Sequence, residues 1–61
     1  MKKITEHTYG SHIYMKIRLD NGEVGEVTCY IRESGMTYKT SADGYDDRER
    51  ENLIQAFKEL Y

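Results

Sequence analysis

Proline is absent from this chain, cysteine occurs once, and no apolar run exceeds a few residues. Each deficit excludes something. Without proline there is neither a polyproline ligand nor a proline-stiffened linker. The single thiol, Cys29, has no internal partner, so the chain is not a disulfide-stapled secreted mini-protein. The opening residues, Met1-Lys2-Lys3-Ile4-Thr5-Glu6-His7, start basic but lack the ~7–15 apolar residues of a signal peptide, and nowhere do ~20 apolar residues stand together to cross a membrane. The expected location is therefore cytoplasmic, with no membrane partner. The initial methionine of so short a chain sets a further expectation, a complete small reading frame of the kind common in phages, acting inside a bacterial host.

What remains is one small domain. At 61 residues the chain buries only ~60% of the surface it exposes when unfolded, which leaves little room for an enclosed active site. A third of the residues are charged, 38% are hydrophobic, and the formal net charge is −2, a balance that suits a globular domain better than a disordered tail. Six tyrosines are the compositional oddity.

Residues 12–19 alternate strictly. Ile13, Met15, Ile17 and Leu19 take one face of a strand; His12, Tyr14, Lys16 and Arg18 take the other. Asp20-Asn21-Gly22 supplies turn chemistry, and Glu26 to Arg32 alternates again, with Val27, Cys29 and Ile31 opposed to Glu26, Thr28, Tyr30 and Arg32. A two-residue Asn21-Gly22 loop would bury Glu26, so the hairpin must carry an extra residue. Either Asp20-Asn21-Gly22 is a three-residue loop, setting Met15 opposite Val27 and Lys16 opposite Glu26, or a bulge at Gly25 sets Ile17 opposite Val27 and Tyr14 opposite Tyr30. Ser34-Gly35 reads as the next turn, placing Ile31 opposite Tyr38 in a short third strand that ends near Ser41.

After the Ala42-Asp43-Gly44-Tyr45 break, Asp46 and Glu49 have capping-box spacing. Leu53, Ile54, Phe57, Leu60 and Tyr61 then recur at helical spacing. The expected fold is α+β: a three-stranded antiparallel meander over residues 11–41 packed on one C-terminal helix over 46–61. Residues 1–9 form an irregular segment or an extra strand. The expected core is Ile13, Met15, Ile17, Val27, Cys29, Ile31, Tyr38, Leu53, Phe57 and Leu60. So small a core makes self-association, as a homodimer, a natural expectation.

Catalytic and metal chemistry find little purchase. Strand parity sends Cys29 inward and His12 outward, so they cannot share an ion, and no four-ligand spacing exists. Ser11 and His12 are neighbours on a strand and point to opposite faces. The glycines stand singly, so there is no phosphate loop, and no GxSxG elbow occurs. No cofactor, metal or enzymatic activity is expected. The informative surface is the outer sheet face, which parity gives Tyr14, Lys16, Arg18, Tyr30, Arg32 and Lys39. The helix segment is acidic instead, and Asp46, Asp47 and Glu51 form a rival surface that could enter a basic groove.

Three strands followed by a helix, with basic and aromatic side chains on the sheet, resemble the arm-type DNA-binding domains of phage tyrosine recombinases. The likeness runs from His12 to Tyr61, with Cys29-Tyr30-Ile31-Arg32 as middle strand and Asp47 to Leu60 as helix. It implies nucleic-acid binding through the sheet face, although a pI near 5.6 departs from a typical duplex binder. The leading expectation is a small non-enzymatic protein-binding factor, such as a phage or mobile-element inhibitor or modulator of a host or defence protein. A nucleic-acid-binding module is the alternative.

Overall fold

The computed structural model describes all 61 residues. Its elements, in chain order, are β1 (Lys2–Tyr9), β2 (His12–Arg18), β3 (Val24–Arg32), β4 (Gly35–Thr40) and α1 (Asp47–Leu60). The strands form one antiparallel sheet in the order β1-β2-β3-β4. The helix lies across β2, β3 and β4. The α+β class, the antiparallel sheet and the C-terminal helix match the sequence expectation. The strand count does not, because residues 2–9 add a fourth strand to the expected three. No helix is long and apolar enough to cross a membrane.

A width argument explains why β1 is hard to read. Four strands at ~4.8 Å spacing span about 14 Å between outer axes, and one helix with its side chains is only ~10–12 Å across. The helix therefore covers three strands well, and the fourth has no need of an apolar face. Thr8 and Glu6, paired with the buried Ile13 and Met15, occupy the helix-side face of β1. The strand also carries an irregularity between Lys3 and Thr5, where Ile4 is the extra residue.

The β2–β3 register is Met15 opposite Val27, Lys16 opposite Glu26 and Ile17 opposite Gly25. This is the three-residue loop of the two registers the alternation allows. Leu19 donates its N–H to the Glu23 carbonyl, and Gly22 closes the turn at φ 88, where a Cβ would be strained. The second hairpin corrects the expectation by two positions. Its turn is Glu33-Ser34, with Gly35 at φ 126, so Ile31 faces Met36 and Cys29 faces Tyr38. A shift of two preserves the faces, which is why the periodicity alone did not exclude the wrong pairing.

The core consists of Ile13, Met15, Ile17, Leu19, Val27, Cys29, Ala42, Leu53, Ala56 and Phe57, with Tyr38 and Leu60 half-buried against it. Ile54 is buried as well. Full burial of such a large apolar side chain stabilises by ~1.5–3 kcal/mol. Ile31 leaves the expected core. It is 47% exposed beside Met36 at 61%, because α1 ends without covering this pair at the β3–β4 turn.

The helix begins at Asp46, whose Oδ1 accepts from the N–H groups of Arg48 and Glu49 at 3.1 Å each. Such a cap is worth ~1 kcal/mol. The reciprocal half of the capping box is missing, since the Asp46 N–H donates to the Ala42 carbonyl. A second fastening joins β4 to α1. Thr40 Oγ1 donates to Asp43 Oδ1 at 2.8 Å, and Arg50 Nε donates to the same oxygen at 3.1 Å. The Thr40 hydroxyl, aided by Arg50, holds the Asp43 carboxyl below its ordinary range. That contribution is complete above the unfolded carboxyl pKa and is lost as pH falls through the lowered value.

The helix packs tightly on the sheet at Gly25. A Cβ there would stand 2.7 Å from both Cδ atoms of Leu53, itself almost fully buried. Gly25→Ala must displace Leu53 within a packed core, and such overpacking typically costs about 1–3 kcal/mol. Urea denaturation should show that loss; unchanged stability would mean that Leu53 swings aside freely.

Candidate functional site

The outer face of the sheet is built in cross-strand rows. One runs Tyr9, His12, Tyr30, Thr37 over all four strands; the next runs His7, Tyr14, Thr28, Lys39. A third sets Thr5, Lys16 and Glu26 side by side, and Lys2, Arg18 and Val24 make the last. The six residues read from parity, Tyr14, Lys16, Arg18, Tyr30, Arg32 and Lys39, thus share one face, though only some touch. Arg32 lies over the Tyr30 ring at 5.4 Å. Lys16, Arg18 and Lys39 stand apart, none of them in an ion pair.

Ring orientation decides what this face can do. Tyr9 and His12 have centroids 4.9 Å apart and planes 23° from parallel; His12 and Tyr30 are 5.4 Å apart at 35°. His7 stacks beside Tyr14 at 6.4 Å and 26°. At one strand spacing, near-parallel rings must face one another, because two rings laid flat side by side could not come so close. The side chains therefore stand on the sheet like cards in a row. Ring faces here are turned to one another, at ~0.5–1.5 kcal/mol a pair.

Tyr14 departs from the row in one respect. Its hydroxyl donates to Glu26 Oε2 at 2.5 Å, so the carboxylate faces the phenol and not its register partner Lys16. Donating this hydrogen bond to the carboxylate favours the neutral phenol and pushes the Tyr14 pKa up to about 12, with desolvation adding to the effect.

His7 and Tyr9, on β1, complete the rows and escape the parity reading. The usable signal was the Gly10-Ser11 turn after Lys2-Lys3-Ile4-Thr5-Glu6-His7-Thr8-Tyr9, a stretch with strand formers but no apolar alternation. The rival acidic residues are dispersed into helix structure. Asp46 is the cap, Asp47 sits in the first turn, and Glu51 pairs with Arg50 at 3.2 Å.

The single surface depression, about 340 Å³, lies between α1 and the β2–β3 turn, on the helix side of the sheet. Its titratable side chains are Asp20, paired with the terminal amine, and Glu59; no histidine, cysteine, serine or threonine lines it. Cys29 is a free, buried thiol. No protein-family model, curated protein or solved structure matches the chain.

The Tyr14–Glu26 bond is directly measurable. In tyrosine-labelled protein followed by carbon NMR, the Tyr14 resonance should titrate near 12, and Glu26→Gln should bring it down toward the ordinary 10.0. A folded pKa raised above the unfolded value stabilises fully below pH 10.0 and loses that contribution as pH climbs through about 12. An unshifted Tyr14 would show that the hydrogen bond is not held in solution.

Proposed function

We propose that this chain is a non-enzymatic protein-binding factor and that the row Tyr9, His12, Tyr30, with Arg32 and Tyr14 beside it, is its contact surface. The observation carrying this reading is the closely packed row of rings, Tyr9 stacked on His12, His12 tilted against Tyr30, and Arg32 over Tyr30. Tyrosine hydroxyls and imidazole edges held upright offer hydrogen bonds above an apolar body. Little rotamer freedom remains to be lost on docking. Tyr and Arg are also the residues that dominate interface energetics.

The nucleic-acid alternative draws on Lys2, Lys16, Arg18 and Lys39, which stand on the same face. Base stacking, however, requires ring faces open to solvent, and in this row only the outer face of Tyr9, on the edge strand, is left uncovered. The net charge of −2 further disfavours a polyanion as partner.

Affinity capture with the intact chain as bait supplies the partner, and paired variants then test the surface. Tyr30→Ala with Arg32→Ala should weaken binding by roughly thirtyfold or more, equivalent to ~2 kcal/mol, while leaving the fold intact. Asp47→Ala with Glu51→Ala should leave affinity nearly unchanged. Binding should also persist from low to physiological salt, where a phosphate-led complex would weaken steeply. Loss of binding in the helix pair alone would move the interface to the acidic surface.

A further inference from the structure

We infer that the free edge of β4 is a self-pairing surface, on which a second copy of this chain docks antiparallel with Thr37 opposite its own counterpart. The inference rests on the backbone and stands whether or not the outer face binds a protein.

Hydrogen-bond parity identifies the free groups. Ser41 donates its N–H to Glu26 and Ile31 donates to Ser11, so even-numbered residues of β3 bond β4 and odd-numbered ones bond β2. In β4, Thr37 and Lys39 therefore turn their backbone groups toward β3. Met36, Tyr38 and Thr40 turn theirs to the open side. The Thr40 carbonyl is already taken by the Asp43 N–H at 3.2 Å. Complete unused donor–acceptor sets remain on Met36 and Tyr38.

One register uses just those sets. With Thr37 on the two-fold axis, Met36 N–H donates to the Tyr38 carbonyl of the second copy and Tyr38 N–H donates to its Met36 carbonyl. Symmetry repeats the pair of bonds. Side chains agree with the backbone. Met36, 61% exposed, falls beside Tyr38 on the helix side, Thr37 meets Thr37 on the outer side, and Lys39 falls opposite Gly35, so no like charges oppose. Sliding the register by two toward Tyr38 opposite itself would demand the occupied Thr40 carbonyl.

The other edge is defended and β4 is not. β1 has its irregularity at Ile4 and a Lys3–Glu6 ion pair along the rim, devices that block edge pairing. β4 is regular, and Lys39 is its one charged residue. The helices do not obstruct the pairing. With α1 lying over the three strands centred on β3, the two helices would stand three strand spacings apart, about 14 Å, which exceeds the ~8–10 Å of packed helices. The outer row then becomes continuous through the axis, running Tyr9, His12, Tyr30, Thr37 and back through the second copy in reverse. The dimer would present that face twice.

Sedimentation equilibrium of the intact chain over a concentration series should show a monomer–dimer equilibrium, with amide exchange at Met36 and Tyr38 slowing as concentration rises. Thr37→Lys places two charges directly opposite and should weaken dimerisation by about tenfold or more. Thr37 is exposed and its backbone bonds to β3 are untouched, so circular dichroism should be unchanged. Thr37→Cys should form a covalent dimer under oxidised glutathione, because a non-hydrogen-bonded antiparallel pair brings the Cα atoms to ~4.5 Å, within disulfide range. The control Thr5→Cys should not. A monomer up to millimolar concentration would overturn the proposal, as would a dimer indifferent to Thr37→Lys or one that protects β1 amides instead.

Discussion

The contact between Leu53 and Gly25 governs the rest of this molecule. A helix can settle this deeply on a sheet only where the strand beneath it has no side chain, and β3 provides that gap at Gly25. Once α1 is seated there, its width decides which strands it covers and its end decides which apolar residues stay wet. β2, β3 and β4 receive a roof. β1 and the Ile31–Met36 pair do not. In a chain this small, one close approach substitutes for the larger core that a longer protein would use to orient its layers.

Seating the helix on one side leaves the other side of the sheet without structural duties. The inner face must stay apolar, and no buried polar side chain interrupts it. The outer face is free to be aromatic and basic, and its stability comes from cross-strand neighbours, not from a layer above. The stacked Tyr9–His12 pair, the tilted His12–Tyr30 pair and the Tyr14–Glu26 hydrogen bond are such neighbours. The acidic residues of the helix, by contrast, serve the helix itself. Asp46 caps it, Asp47 meets the positive end of its dipole, and Glu51 engages Arg50.

How much of this could be read beforehand follows from where periodicity is imposed. β2, β3 and α1 each bury one face, so Ile13, Met15, Ile17 and Val27, Cys29 on the strands, and Leu53, Phe57 on the helix, announce their elements. β1 buries little, and its helix-side residues Glu6 and Thr8 give no alternation to detect; with it went His7 and Tyr9, two of the five rings in the rows. Ile31 follows the parity of Val27 and Cys29, but parity carries no information about how far the helix reaches. The second hairpin shows the same limit in another form. Pairing Ile31 with Met36 or with Tyr38 leaves every side chain on the same face, and only the conformation around Gly35 separates the two.

The burial of Cys29 turns a packing detail into an instrument. It is the chain's one thiol, 1% exposed between sheet and helix, so a disulfide reagent reaches it only through an opened molecule. Where reclosing outpaces the reagent, the observed modification rate is the intrinsic thiol rate multiplied by the opening equilibrium constant. The native chain thus contains its own gauge of cohesion between layers. Any change on the outer face can be weighed for its effect on that cohesion without introducing a probe.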